Sequence, residues 1–338
     1  MNDFEEYDID SAWNEFCEDG FINNKHILNN DEECQDIPKA GDIYISTKTK
    51  IAYLTNTIDL LNVFWNIKVI PYHLQQIGVV KKQMKFNFTN DTDVNNMCEK
   101  LKNEKNVEEQ IISRIINPDG RIKFRDIRKV SIGLCQKDIL SYRSKKRSAF
   151  YNCFVLILRI DIKDNYKEIH VKVFNTGKLE IPGIRDDYTL IKTLDLLVDI
   201  IKVAAKDIDI SYDLSKCETV LINSNFNCGF YLNRDKLLDI LKYKYKIDCI
   251  FDACQYPGIQ CKYNITYNDI KYKLSFMIFR TGSILIVGKC DEDVLYKIYN
   301  FIKELLEKEY KEIFIKNIDK EQIKSTEKKP KRRIIYVS

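Results

Sequence analysis

The sequence predicts an α+β fold made of two similar halves: an antiparallel, curved β-sheet with helices on one face. Two observations predict it. First, a phrase is written twice. FNTGKLEIPGIRDD (174–187) and FRTGSILIVGKCDE (279–292) agree at 6 of 14 positions, at a constant offset of 105. Self-similarity at a fixed spacing marks a duplicated structural unit. Second, both copies have the same surroundings, with alternating apolar runs before them and an amphipathic helical pattern after them.

The elements follow in chain order. Residues 1–40 hold 12 Asp/Glu against 2 Lys/Arg and read as an acidic, mostly disordered arm, in which Trp13, Phe16 and Phe21 would suit a short docking helix. LLNVFWNIKV (60–69) reads as the first strand. PYHLQQIGVVKKQ (71–83) reads as a helix, with Pro71 suited to its first turn. NCFVLILRIDI (152–162) and KEIHVKVF (167–174) are strands, residues 175–177 turn the chain, and KLEIPG (178–183) returns. Asp186 and Asp187 open the helix LIKTLDLLVDIIKVAA (190–205), where carboxylates suit the positive end of the helix dipole.

The later half repeats this order. VLINSNFNCGF (220–230) is a strand, and Asn233 caps a short helix to about Tyr245 with Leu237, Leu238 and Leu241 on one face. YPGIQCKYNI (256–265) is a strand begun by a Pro-Gly turn, and KYKLSFMIF (271–279), Thr281-Gly282 and SILIVG (283–288) make a hairpin. Asp291, Glu292 and Asp293 start the last helix, whose Val294, Leu295, Ile298, Phe301, Ile302, Leu305 and Leu306 keep helical spacing. Asn62 and Asn223 are 161 apart whereas the hairpins are 105 apart, so the earlier half carries 56 extra residues. They fall at about 84–148, a polar, lysine-rich stretch expected to form its own small lobe. The expected organisation is an arm (1–40), a first repeat (41–208) with that insertion, a second repeat (209–315) and a basic tail (316–338). KKPKRR (328–333) in the tail reads as a nuclear address, a phosphate-binding run or a charged tail with neither role.

Composition narrows the function. With 338 residues, 45% hydrophobic and 31% charged, the chain can bury one large core or two. No apolar run approaches the length of a membrane-spanning helix, and the N-terminus lacks a signal-peptide core, so an intracellular protein without membrane contact is expected. Eleven cysteines form no C-x-x-C pair and the histidines number three (His26, His73, His170), which argues against zinc and for reduced, buried thiols. Phosphate-loop, serine-hydrolase, zinc-protease and kinase signatures are absent, and carboxylate pairs at helix starts are accounted for by capping. No enzyme, metal or cofactor is therefore expected. Beyond residue 40 the chain holds 52 basic and 38 acidic residues, which predicts a polyanionic partner and an acidic arm able to compete with it.

Asparagine on each first strand, the hairpin pattern F-x-[ST]-G-x-[LIV]-x-[LIV]-x-G and the YPGIQCK strand together resemble the TATA-box-binding protein family. The resemblance covers about residues 55–315 less the insertion, and its divergence is of the kind seen in members carried by large DNA viruses. It implies a saddle with helices on the convex face. The concave face would bind AT-rich promoter DNA in the minor groove and bend it, and the partners would be general initiation factors and RNA polymerase. The expected location is the nucleus or, for a virus, the virion or viral factory. The physics is consistent: a broad sheet can sit in a widened minor groove, aromatic wedges kink base steps, and TA steps deform cheaply.

Residue by residue, Asn62 and Asn223 match the base-reading asparagines, with a turn-capping amide as the alternative. Phe174 and Phe279 match the wedge phenylalanines, and Tyr256 matches the partner wedge; core aromatics are the alternative. Phe64, Met277, Leu285 and Val287 are placed on the DNA face, with Ile284 and Ile286 toward the helices. Arg159 and Lys262 match phosphate contacts, and Lys178, Arg185 and Lys289 are further candidates. The sequence also departs from the pattern. Cys153 stands where the counterpart of Tyr256 is expected, Glu180 and Pro182 replace small residues facing DNA, and Asn225 replaces an apolar one. A carboxylate facing DNA is costly unless a lysine pairs with it. The competing expectation is a transcription-associated interaction scaffold with the same fold and a degenerate DNA face.

Overall fold

Strand pairing begins earlier than the sequence predicts, in the TKTKIAY stretch. The computed structural model describes residues 37–140, 151–163, 165–205 and 209–316. Trp13, Phe16, Phe21 and KKPKRR lie outside the described residues, as does most of the acidic arm. The described chain forms two compact units, residues 47–222 and residues 37–46 with 223–316.

In the unit of residues 47–222, β1 (Tyr44–Tyr53) leads to α1 (Leu60–Asn66), β2 (Gly78–Phe88), α2 (Asp91–Leu101), β3 (Val107–Ile116), β4 (Phe124–Gly133) and α3 (Gln136–Leu140). Then come β5 (Cys153–Ile162), β6 (Asn165–Phe174), β7 (Lys178–Ile184) and α4 (Asp187–Ala204). The strands lie in the order β1-β7-β6-β5-β2-β4-β3. In the other unit β8 (Glu218–Asn227), β9 (Tyr231–Leu232) and α5 (Arg234–Asp239) are followed by a π-helical turn (Ile240–Lys244). Next come β10 (Asp248–Ile250), β11 (Gly258–Tyr267), β12 (Ile270–Phe279), β13 (Ser283–Gly288), α6 (Glu292–Lys308), α7 (Tyr310–Ile313) and β14 (Phe314–Ile315). Here the order is β10-β11-β12-β13-β8, with β9 and β14 forming a separate pair. The series β1-β7-β6-β5-β2 and β8-β13-β12-β11-β10 are the same arrangement, so the written repeat is also a topological one. The chain is α+β, with antiparallel pairing between neighbouring strands.

The repeated Thr-Gly is a turn requirement. Gly177 and Gly282 have φ of +81° and +80°, a left-handed conformation natural to glycine. The Gly177 N–H donates to the Phe174 carbonyl at 3.0 Å, and the Gly282 N–H donates to the Phe279 carbonyl at 3.0 Å. The position of the aspartate at the helix start repeats, but its bond does not. The Asp186 carboxylate accepts from the Thr189 N–H at 2.7 Å, whereas Asp291, at the N-cap of α6, makes no capping bond and accepts from the Tyr272 hydroxyl at 3.0 Å.

Two elements are corrected. The segment 60–69 is not a strand. Asp59 caps it, accepting from the Leu61 and Asn62 N–H groups, and Leu60, Val63, Phe64 and Ile67 are buried at helical spacing. Val, Phe, Trp and Ile favour strands intrinsically, and that preference masked the period. Residues 78–83, within the expected helix 71–83, begin β2. Lys81 and Lys82 disguise its apolarity because both are buried. Lys81 Nζ reaches Asp138 at 2.8 Å. Lys82 Nζ donates to the carbonyls of Phe64 at 3.0 Å and Ile67 at 2.7 Å, at the C-terminal end of α1, and lies 3.5 Å from Glu104. Nor do residues 84–140, the described part of the expected insertion 84–148, form a separate lobe: β4 and β3 continue the sheet from β2.

Each sheet buries one face under its long helix. In the unit of residues 47–222, Phe154, Leu156 and Leu158 of β5, Val171 and Val173 of β6, and Leu179 and Ile181 of β7 share a core with Leu190, Leu194, Leu197 and Ile201 of α4. In the other unit Tyr263 stacks on Phe301 of α6 at 4.9 Å and meets Phe276 at 6.3 Å. Phe226 meets Tyr299 of α6 edge-on at 4.8 Å. Strand alternation then sends Met277, Phe279, Leu285 and Val287 to the opposite face. Among the described residues no helix is long and apolar enough to cross a membrane.

Gly282→Ala is expected to destabilise by about 1–2 kcal/mol or more in denaturant melts, since its Cβ meets the Phe230 carbonyl in a left-handed backbone. Burial lowers the Lys82 pKa below its ordinary 10.5 despite the opposing pull of Glu104. Between that lowered value and 10.5 the unfolded chain holds a proton that the folded chain has released, so stability rises with pH. Urea melts across this window should show the gain in the wild type and not in Lys82→Met.

Candidate nucleic-acid interface

The face of β11, β12 and β13 opposite α6 is fixed by register. Gly258 lies opposite Phe279, Gln260 opposite Met277 and Lys262 opposite Ser275. Met277 in turn lies opposite Leu285, and Ser275 opposite Val287. The predicted Phe279, Met277, Leu285, Val287 and Lys262 are therefore brought to one face. The Phe279 ring lies flat over Gly258, where an added Cβ would sit 2.8 Å from its Cε1. Tyr256 joins it with ring centroids 6.0 Å apart, and its hydroxyl lies 3.7 Å from Met277 Sδ. Both rings are covered, with Phe279 6% and Tyr256 9% exposed. Arg234 donates to the Pro257 carbonyl and sits over the Phe251 ring at 4.7 Å, which holds the Pro-Gly turn in front of β11.

Asn223 and Asn225 are on β8, and alternation from Phe226 directs them away from α6. Asn223 is buried, and its backbone carbonyl accepts from Ser46 Oγ at 3.0 Å. Lys262 and Lys289 are exposed. The asparagine, the two rings, the apolar floor and a rim cation thus share one face in this unit.

The unit of residues 47–222 is different. Cys153 lies opposite Phe174, the register of Gly258 opposite Phe279. Cys153 therefore corresponds to Gly258, and the counterpart of Tyr256 is Tyr151, two residues before the strand. The constant offset of 105 links 256 to 151 and was the signal that could have found it. Tyr151 is 47% exposed, with Lys85 Nζ 3.7 Å from its ring centroid. Phe174 is half-buried, and Lys178 Nζ is 5.6 Å from its ring. Arg185 is exposed. The expected cost of Glu180 is met by a lysine: Lys172 Nζ binds its Oε1 at 2.7 Å across β6 and β7.

Three predicted residues are corrected here. Asn62 is on the exposed side of α1, and Phe64 is wholly buried beneath that helix. The strand that matches β8 in sheet order is β1, and Thr49 and Ile51 alternate with the core residue Ala52. Arg159 is also committed elsewhere. It is buried, and it donates to the carbonyls of Leu74 at 2.6 Å and Tyr72 at 3.0 Å. It also lies over the Tyr72 ring at 4.6 Å and 3.8 Å from Glu168. Its guanidinium pins residues 71–77 against the sheet and is not presented to a phosphate. Among the described residues no cluster of His, Cys, Asp or Glu could hold a metal ion.

Arg159→Leu should release the 71–77 loop. Hydrogen exchange there should accelerate, with a stability loss of about 2 kcal/mol from the unpaired carbonyls. Arg159→Lys should restore it only in part, because one ammonium cannot reproduce the planar fork.

No family model matches the chain. A curated protein of Acanthamoeba polyphaga mimivirus, described as TATA-box-binding protein-like, is 29% identical over 202 residues, covering 53% of this chain and 54% of that protein. The chain thus spans about half the length of the curated relative it matches. Among solved structures, Methanococcus jannaschii TBP aligns with 79% of this chain and 99% of its own at a TM-score of 0.39 and 14% identity. Over those 202 residues this chain is similar to a protein described as TATA-box-binding protein-like.

Proposed function

We propose that the chain binds AT-rich promoter DNA in the minor groove and bends it as a transcription initiation factor, chiefly through residues 223–316. The observation that carries this reading is the Tyr256–Phe279 ring pair on the helix-free face, the same face that carries Asn223, Met277, Leu285 and Val287. Two rings entering base steps would unstack them at a few kcal/mol per step, offset by the larger surface that bent DNA contacts. The asparagine amide can address A N3 and T O2, where guanine presents an amine instead. Lys262 at the rim is positioned for a phosphate. Because Phe279 rests on Gly258, insertion requires its ring to lift from the sheet. In this reading other initiation factors and RNA polymerase meet the helix-bearing faces, in a nucleus or viral factory.

A second reading, an interaction scaffold that has lost part of its DNA face, is favoured by one set of observations. Arg159 is consumed by the 71–77 loop, and Lys172 by Glu180.

Gel shifts on an AT-rich duplex at two salt concentrations should show affinity falling steeply with salt. Phe279→Ala should reduce the bend angle, read by fluorescence transfer between duplex ends, by more than its effect on melting would explain; an unchanged bend refutes the wedge role. Glu180→Ala removes a carboxylate from the face of β6 and β7 opposite α4 and should tighten duplex binding about threefold at low salt, by relieving repulsion of a phosphate. No change there, with weak duplex binding throughout, favours the scaffold.

A further inference from the structure

β2 outruns its neighbour on one side. Its last pair with β5 is Met84 with Phe154, whereas β4 accompanies it to Phe88. Where residues 85–88 overhang, a cleft of about 680 Å³ opens between α1, α2 and Tyr151. Its floor is aromatic. The rings of Phe86 and Phe88 are parallel at 5.7 Å, and Trp65 of α1 adjoins Phe86 at 5.8 Å. Its lining also carries three cations. Lys100 Nζ is 5.1 Å from the Trp65 ring, Lys85 Nζ is 3.7 Å from the Tyr151 ring, and Arg125 adds a guanidinium. Among the described residues none of the three forms an ion pair. The one carboxylate of the lining, Asp93, accepts from Asn90 Nδ2 at 2.8 Å.

This chemistry selects among ligands. Exposed aromatic faces attract flat rings and organic cations alike. Three unneutralised cations reject the second class and favour an anion. A ligand that joins a flat ring to a phosphate satisfies both. We propose that this cleft binds an unpaired nucleotide, with the base against Trp65 and Phe88 and the phosphate among Lys85, Lys100 and Arg125. The site is distinct from the helix-free face of residues 223–316 and does not rest on the duplex-binding reading.

The chain has two tryptophans, Trp13 and Trp65, so Trp13→Phe leaves fluorescence that reports on the cleft. In that full-length background a short oligothymidylate should quench the emission saturably. Lys100→Ala with Arg125→Ala should weaken this about tenfold, while affinity for an AT-rich duplex moves less than about twofold. Phe88→Leu keeps an apolar wall and removes a stacking ring. It should weaken quenching about fivefold or more, which guards against a misfolded charge variant. Thymidine monophosphate distinguishes the sources: quenching by it at similar concentration identifies a free nucleotide, and quenching by the oligomer alone identifies a single strand. Absence of quenching by both, indifference to both variants, or equal displacement by polyglutamate would overturn the proposal, the last by revealing an acidic-peptide surface. Failure of duplex binding alone would leave the quenching result intact and count only against the promoter reading.

Discussion

The constraint on which the rest depends is the left-handed glycine that closes each Thr-Gly turn. By fixing where the chain reverses, Gly177 and Gly282 fix the register of β6 with β7 and of β12 with β13. Side chains alternate with a period of two, so a slip of one residue would send Phe276 and Ile278 to the outer face and bury Ser275 under α6. The face opposite α6 keeps one coherent set of side chains, with Met277, Phe279, Leu285 and Val287 largely covered, only because the turn admits one register. The helix that follows each hairpin is placed by the same economy: an aspartate a fixed distance from the glycine starts it, and its apolar stripe covers the inner face.

What the sequence disclosed follows from how local each signal is. The hairpins, α4 and α6 were legible because turn chemistry, alternation and helical period agree within one segment. The Asn233 cap was legible for the same reason, its side chain accepting from the Lys236 N–H at 3.2 Å. α1 was not, because its residues favour strands and only tertiary burial of Val63, Phe64 and Ile67 decides the matter. β2 was obscured by Lys81 and Lys82, which read as solvent-facing until distant partners, Asp138 and the end of α1, are known. Misreading α1 as the first strand carried Asn62 and Phe64 into the wrong role. Tyr151 was missed for a different reason, since a tyrosine before a strand has no distinctive local context and only the register of Cys153 with Phe174 identifies it.

In the register that equates Cys153 with Gly258, Lys262 corresponds to Ile157 and Arg159 to Asn264, so the two cations do not hold one repeated position. Lys262 is left in solvent, whereas Arg159 is buried and devoted to two backbone carbonyls. A guanidinium satisfied in this way would lose strong bonds on turning outward, so its commitment is structural. Lys172 and Glu180 neutralise each other on the face of β6 and β7 opposite α4. The added strands β3 and β4 lengthen the same sheet and support the overhang that the aromatic cleft occupies.

Gly258 and Cys153 hold equivalent places, one beneath Phe279 and the other opposite Phe174. A hydrogen atom lets the first phenylalanine lie flat; a thiol-bearing side chain leaves no such bed for the second. Phe279 is almost wholly covered, while Phe174 keeps part of its surface in water. Phe174 thus offers part of its ring to water directly, whereas exposing Phe279 requires a local rearrangement around Gly258.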